Sequence, residues 1–198
     1  MKTIKCEAVR VLLCNIVFML CSIVAIAQNE WSLNFRPGVN FATKNLGDAK
    51  LKTGFGFDGT LGYKLTPQLG AYAGWSWNKF SAGQSFAGTK KDFDVTGYNF
   101  GLQLFVPIAT SDVKLVVGGG AIYNHIEVEN TNGDIIADSG HGWGWQLDAG
   151  LMLKLSEHIN FVPGIRYRAL SRDLKVGAAT TAVNLNYFSV GAGFAWTF

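Results

Sequence analysis

From residue 28 to residue 198, apolar residues alternate with polar or small ones in eight stretches of roughly 10–14 residues, the period-two pattern of β-strands. Successive side chains of a strand point to opposite faces, so each stretch predicts one apolar and one polar face. The sixth stretch is the clearest. Its apolar face carries Trp143, Trp145, Leu147, Ala149, Leu151, Leu153 and Leu155. Its polar face carries Gly144, Gln146, Asp148, Gly150 and Lys154. The pattern predicts an all-β chain.

Short and long connections between these stretches alternate along the chain. The short connections are residues 66–68, 109–112 and 156–158, and the long ones are 43–53, 81–94, 127–140 and 172–182. Directly opposed residues of an antiparallel pair must share a face, which limits the register of each short turn. The pairs predicted to close the three short turns are Leu65–Leu69, Ile108–Val113 and Leu155–Ile159. We expect the strands to follow one another up and down.

One of the long hairpins contains Asn132-Gly133, which favours a two-residue turn. Such a turn would set Tyr123 opposite Gly142, although the alternation places these two residues on different faces. We therefore predict either a three-residue loop that ends with Gly133 in the left-handed conformation or a β-bulge near Gly140 and Gly142.

Composition indicates which face points outward. Charged residues make up 16% of the chain, against roughly 25% in ordinary soluble domains, and the polar face is rich in Gly, Ser and Asn. A soluble barrel with its polar face in water would carry many more Lys and Glu residues. Aromatic residues also cluster towards the strand ends, as in the girdles of membrane barrels. We predict an eight-stranded antiparallel up-and-down transmembrane β-barrel with its apolar face in lipid.

The first 27 residues are predicted to be a signal peptide, and residues 28–198 to be the barrel domain. A basic segment precedes an apolar stretch at 11–26, and Ala25-Ile26-Ala27 fits a signal-peptidase site. A transmembrane anchor is the alternative, but it needs about 20 apolar residues. All three cysteines, Cys6, Cys14 and Cys21, lie in this segment. We therefore expect an exported protein without disulfide bonds or thiol chemistry.

Aromatic residues alternate at the end of the last strand, at Phe194, Trp196 and Phe198. This ending resembles the last strand of bacterial outer-membrane proteins. Residues 29–198 as a whole resemble the small eight-stranded outer-membrane β-barrel family of the outer-membrane protein A and X type, and in style the porin-like β-barrel domain common in Bacteroidota. The resemblance implies location in the outer membrane, contact with its lipids, and an assembly signal formed by these three aromatic residues for the barrel-assembly machinery.

The polar face carries eight charged side chains, which are Arg36, Asp58, Lys64, Lys114, Asp148, Lys154, Arg166 and Arg168. Side chains just fill the interior of an eight-stranded barrel, so we expect these charges to pair rather than line a wide pore. Asp148 with Arg166 or Arg168 on the next strand is the best predicted pair. A lumen network that stabilises the barrel is our interpretation, and a narrow ion path is the alternative.

Two histidines raise the question of catalysis. Some barrels of this size are lipid A deacylases or palmitoyl transferases, and the deacylases carry a His-x-Ser motif. His125 and His141 lie in adjoining strands, but Glu127 stands where that motif has its serine. Two histidines alone also fall short of the four ligands of a closed metal site. We therefore predict no catalytic residues, no cofactor and no metal site.

The net charge of +3 falls to +1 without residues 1–27, which excludes a nucleic-acid binder with a basic face. We expect a monomeric integral outer-membrane protein with a structural or interaction role, exerted on an extracellular partner through its long, solvated loops. The alternatives are a narrow passive pore for ions or small solutes and an interfacial lipid A-modifying enzyme.

Overall fold

The computed structural model describes residues 31–108, 112–177 and 179–198. The predicted signal peptide and most of the short turn at 109–112 lie outside the described residues. The described chain forms nine strands, β1 Trp31–Ala42, β2 Gly54–Lys64, β3 Leu69–Ser85, β4 Gly88–Pro107, β5 Val113–Glu129, β6 Ile135–Asp138, β7 Gly142–Lys154, β8 Ile159–Val176 and β9 Ala179–Thr197. Among the described residues, no helix is long and apolar enough to cross a membrane.

The strands close into a ring of eight positions. The order is β4-β3-β2-β1-β9-β8-β7-β5, and β4 pairs with β5 to complete the circle. The short strand β6 pairs with β5 beyond the end of β7 and shares its position. At the seam between β1 and β9, the Phe198 amide donates to the Trp31 carbonyl at 3.0 Å. The prediction of an all-β, eight-stranded antiparallel barrel is confirmed.

The three short turns have the predicted register. Backbone hydrogen bonds join Leu65 N to Leu69 O at 2.9 Å, Ile108 N to Val113 O at 3.0 Å and Leu155 N to Ile159 O at 2.9 Å. These turns and the seam residues lie at one end of the barrel, the short-turn end. The other end, where the long connections lie, is called the loop end below.

The hairpin after β5 contains the three-residue loop that the face argument predicted, and its β-bulge lies between Val128 and Glu129 rather than near Gly140 and Gly142. Tyr123 lies opposite Trp143, so the two aromatic residues share a face. Gly133 adopts a φ of 85°, and the Asn130 amide donates to the Asp134 carbonyl at 3.0 Å, which closes a three-residue loop. Gly140, with a φ of 66°, lies where β5 changes its partner from β6 to β7.

Arg172 stabilises this change of partner. Its guanidinium is buried and donates to the backbone carbonyl of Asn124 at 2.7 and 2.9 Å and to that of Trp143 at 2.9 Å. It also donates to the carbonyl of Gly142. A buried carbonyl without a donor costs about 1–3 kcal/mol, so the donors of this one side chain stabilise the point where β5 changes its partner from β6 to β7.

The apolar face of the sheet forms the outer surface. Trp143, Leu147 and Phe35 are each more than half exposed. The alternate residues point inward, and Asn99, Gln146 and other polar side chains of that face are buried. An apolar exterior around a polar interior is the arrangement of a membrane barrel, so the predicted facing of the sheet is confirmed.

Two of the predicted long loops are wrong in length, because the strands continue through them. β3 and β4 pair as far as Ser85 and Gly88, and β8 and β9 pair as far as Val176 and Ala179. These strands have 17 to 20 residues, whereas a membrane-spanning strand needs about 9–11. The extensions form because apolar side chains continue on their inner face and pack against one another.

Because the apolar residues face the lipid, a charged side chain introduced among them should destabilise the barrel by an amount that depends on its depth in the membrane. Leu147→Arg lies in the middle of β7 and should destabilise the barrel by about 2–4 kcal/mol, whereas Leu155→Arg, beside a short turn, should cost about 0–1 kcal/mol. Urea titration of refolding into lipid vesicles measures both values. Equal costs for the two matched substitutions would show that Leu147 does not face hydrocarbon.

Candidate functional site

A charged cluster crosses the middle of the lumen. Asp58 points inward from β2, and Arg166 and Arg168 point inward from β8, on the other side of β1 and β9. The Asp58 carboxylate forms an ion pair with the Arg166 guanidinium, with 2.8 Å between Oδ2 and Nη1, and its other oxygen accepts a hydrogen bond from Arg168. All three side chains are buried. One carboxylate therefore joins two strands that are not neighbours in the sheet.

Polar side chains extend this cluster around the wall. The Arg168 Nε donates to the Gln146 Oε1 at 2.9 Å, and the Gln146 Nε2 donates to the Tyr72 hydroxyl at 2.7 Å. The Tyr187 hydroxyl accepts from Arg168 at 3.4 Å. Sequence reasoning placed Gln146 on the polar face but did not identify either tyrosine as a partner. The available signal was the alternation of each strand, which places both tyrosines on the same face as its polar residues.

The predicted pairing of Asp148 with an arginine is wrong. Asp148 is directly opposite Arg166 in the sheet, but Arg166 extends across the lumen to Asp58. The Asp148 Oδ2 instead accepts from Gln103 at 3.4 Å. In a narrow barrel, a long side chain reaches the facing wall as easily as its neighbour on the next strand.

Arg36 lies in the same layer and lines a cavity of about 20 Å³ together with Asp58, Asp148 and Arg166. A cavity of that size has room for about one water molecule. The layer thus contains three guanidinium groups and two carboxylates in a nearly filled section. It leaves no wide passage between the described residues.

The three predicted lumen lysines lie elsewhere. Lys64, Lys114 and Lys154 line a cavity of about 320 Å³ at the short-turn end, with Asp112 and Glu157 on the same wall. The eight charges that the sequence assigns to the lumen are therefore divided between a filled central layer and a hydrated mouth.

An apolar plug fills the lumen at the loop end. It consists of Leu46, Ala49, Phe80, Ala82, Phe93, Val95, Ile122, Ile126, Val128, Ala137, Leu170, Leu174, Val183, Leu185 and Tyr187, all buried. Most of them continue the inner face of the extended strands. The plug covers the charged layer, and an ion that entered it would lose its hydration without a compensating partner.

The first long connection contributes to the plug, which corrects the expectation that this loop is solvated. Leu46 and Ala49 are fully buried and exchange two backbone hydrogen bonds of 3.0 Å. The Phe86 amide donates to the Asp48 carboxylate at 2.7 Å, which fastens the loop to the β3–β4 turn. The sequence indicates this inward position of the loop, because apolar residues lie on both sides of a turn at Gly47.

The outer wall at the loop end carries a salt-bridge cluster. The Lys79 ammonium contacts carboxylates of Asp92 at 3.3 Å, Asp94 at 3.5 Å and Glu129 at 2.5 Å. Burial by itself would lower the pKa of Lys79, but the hydrogen bond that its ammonium donates to Glu129 and the nearby carboxylates outweigh burial and raise the pKa above its usual value. The cluster ties β3, β4 and β5 together beyond the apolar surface.

His125 and His141 also lie on the outer wall at the loop end, with their rings stacked at a centroid distance of 4.3 Å. The His125 Nδ1 is 3.1 Å from the Asp138 Oδ1 and 3.9 Å from the Glu127 Oε1. Sequence reasoning missed Asp138, because the hairpin register that brings it to Glu127 could not be assigned from the sequence.

The three aromatic residues at the end of the chain occupy the seam region. Phe194 and Trp196 are more than half exposed on the outer face. The Phe198 ring packs against Trp196 at a centroid distance of 5.1 Å and an angle of 43°, and its backbone exchanges hydrogen bonds with Trp31. These side chains are therefore presented along the strand that completes the ring.

Comparisons with known proteins agree with this architecture. A family model described as outer membrane protein beta-barrel domain matches residues 15–198. Neisserial surface protein A is 18% identical, with a TM-score of 0.64, over 85% of this chain and 97% of that chain. The Escherichia coli outer membrane protein W is 16% identical, with a TM-score of 0.57, over 87% and 100%. OprG from Pseudomonas aeruginosa is 15% identical, with a TM-score of 0.55, over 86% and 98%. No curated protein sequence matches.

The ion pairs predict unequal roles for the two lumen carboxylates. Asp58→Asn leaves two buried guanidinium groups without their partner and should destabilise the barrel by about 3–5 kcal/mol. Asp148→Asn keeps both ion pairs and should cost clearly less. Urea titrations in lipid vesicles compare the two. A larger loss for Asp148→Asn would contradict the assignment of Asp58 as the central acceptor.

Proposed function

The chain belongs to the family of outer membrane β-barrel domains and lies in the outer membrane, and from this premise we propose that it is a closed, non-conducting barrel that acts through its loop-end surface. In this proposal the loop end faces the outside of the cell and the short-turn end faces the periplasm. The protein has a structural or interaction role, and its lumen stabilises the barrel.

The observation that supports this proposal is the double closure of the lumen. The apolar plug fills the loop end, and the Asp58–Arg166–Arg168 layer fills the middle. The 320 Å³ cavity at the short-turn end lies beneath this layer and is lined by other residues than the plug. A passive pore would need both barriers to open, which makes transport the less favoured function.

The loop end offers surfaces suited to a partner. A polar cleft of about 480 Å³ is lined by Lys52, Lys79, Asp92, Glu129 and Asn132, among others, at the junction of three hairpins. The salt bridges of Lys79 hold this wall in place. We propose that an extracellular partner binds here, and that the protein itself remains a monomer in the lipid.

An enzymatic role receives less support. The His-x-Ser motif of the lipid A deacylases would require serine at position 127, where Glu127 lies beside His125. The proposal is therefore non-catalytic. For biogenesis, we propose that Phe194, Trp196 and Phe198 are recognised by the barrel-assembly machinery, since they are displayed along the last strand of the ring.

Planar-bilayer recordings test the closed lumen. The purified protein should show no steady conductance, whereas a general porin inserted into the same bilayer should conduct. Phe93→Ala should stay closed as well, because the charged layer beneath the plug remains. Steady nanosiemens-scale conductance of the unaltered protein would overturn the proposal in favour of a pore.

The enzymatic alternative has its own test. The lipid profile of a deletion strain should be indistinguishable from that of its parent strain. A lipid A species that disappears on deletion and returns with the intact gene, but not with His125→Ala, would contradict a non-catalytic role.

A further inference from the structure

We propose that His125, Glu127 and Asp138 form a binding site for a divalent transition-metal ion of the zinc class on the outer wall at the loop end. These residues supply one nitrogen and two carboxylate oxygens, and their ligand atoms all lie within 4.8 Å of one another. The site is separate from the lumen and does not depend on whether the barrel is closed.

The hairpin register assembles the three ligands. His125 and Glu127 are two residues apart on β5, so their side chains leave the same face of the strand. Asp138 on β6 is the direct partner of Glu127 and shares that face. The register shift between Val128 and Glu129 sets this pairing, so the bulge of the hairpin also determines the ligand set.

The distances suit a tetrahedral ion. Bonds of about 2.0–2.1 Å hold neighbouring ligand atoms of a tetrahedral zinc site about 3.3 Å apart. The His125 Nδ1 is 3.1 Å from the Asp138 Oδ1 and 3.9 Å from the Glu127 Oε1. A rotation of the Glu127 side chain has to bring its carboxylate oxygen to about 3.3 Å from both of the other ligand atoms to complete the geometry. The side chain of Asp138 is 46% exposed, which leaves the fourth position open to water.

Two neighbouring groups hold the ligands in place. The Gly140 amide donates to the Asp138 Oδ1 at 2.8 Å and orients that carboxylate. The His141 ring stacks on His125 with an interplanar angle of 15° and is itself packed against Tyr123 at 5.2 Å. Parallel stacked rings cannot direct their nitrogens to one ion, so His141 is a positioning residue and not a ligand.

The donor set selects the class of metal. An imidazole nitrogen with two carboxylates favours Zn²⁺, Co²⁺ and Ni²⁺, whereas Mg²⁺ and Ca²⁺ prefer oxygen ligands alone. A set of three protein ligands is also the number that zinc keeps when one position remains open. The acidic salt-bridge cluster at Lys79 differs, because an ammonium already occupies its centre.

Cobalt titration tests the site. Tag-free protein in detergent micelles is titrated with Co²⁺, whose visible absorption reports tetrahedral coordination, and is then challenged with Zn²⁺, Mg²⁺ or Ca²⁺. We expect one Co²⁺ per chain, displaced by Zn²⁺ but not by Mg²⁺ or Ca²⁺. His125→Ala and Asp138→Asn should abolish the absorption, and circular dichroism checks that each variant keeps its β-structure.

Matched variants separate ligand from positioning residue. His158→Gln, at the short-turn end, should bind Co²⁺ like the unaltered protein. His141→Phe should keep the stacked ring and the binding, whereas His141→Ala should weaken binding about tenfold. Absence of Co²⁺ absorption in the unaltered protein would overturn the site. Loss of binding in His158→Gln, or complete loss in His141→Phe, would overturn the assignment of the three ligands.

Discussion

Every peptide N–H and C=O inside the hydrocarbon must find its partner within the protein, because lipid tails offer none. This constraint explains why the chain closes β1 against β9. It also explains why the strands keep their register on both sides of a proline. Pro37 lies in β1 and Pro163 in β8, on the two sides of β9. The β1–β9 ladder skips Arg36 and Pro37 and resumes at Gly38 with its offset unchanged. Where β5 changes its partner from β6 to β7, the Arg172 side chain supplies the donors.

The closed ring of eight strands then determines which side chains fit in the interior. A barrel this narrow is filled by side chains, so each large inward group needs a small one facing it. Gly118 illustrates the requirement, because a Cβ there would lie 2.8 Å from the Asp148 carboxylate. A Cβ at Gly164 would approach the Arg36 guanidinium to 3.3 Å. The glycines of the polar face thus make room for the charged layer, which nearly fills this section of the described barrel.

The ring, its facing and its short turns could be predicted because they follow from local alternation. For example, the alternation of β2 and β3 is enough to assign Leu65 and Leu69 to the same face. The pairing of Asp58 with Arg168 could not be predicted, since it depends on the width of the lumen and joins residues 110 positions apart. The inward fold of Leu46 depends on the apolar surface that the extended strands present to it.

Some strands are longer than predicted, for a different reason. Inward apolar residues continue past the predicted loop boundaries, at Ala82 on β3, Phe93 on β4 and Leu174 on β8. The alternation continues in the sequence, but a strand of membrane-spanning length is complete before these residues, so the length rule does not predict the extension. Asp138 lies in one of these outer hairpins. Its position beside His125 could not be predicted, because it follows from a bulge.

Cysteine accessibility inside the lumen tests the sealed barrel most directly. All three native cysteines lie in residues 1–27, so the barrel contains no thiol of its own. Ser32 lines the cavity at the short-turn end, and Ser76 lies on the inner face of β3 with no exposed surface. In lipid vesicles, a charged thiol reagent should label Ser32→Cys and should leave Ser76→Cys unlabelled from either side of the membrane. Equal labelling at both positions would contradict a closed lumen.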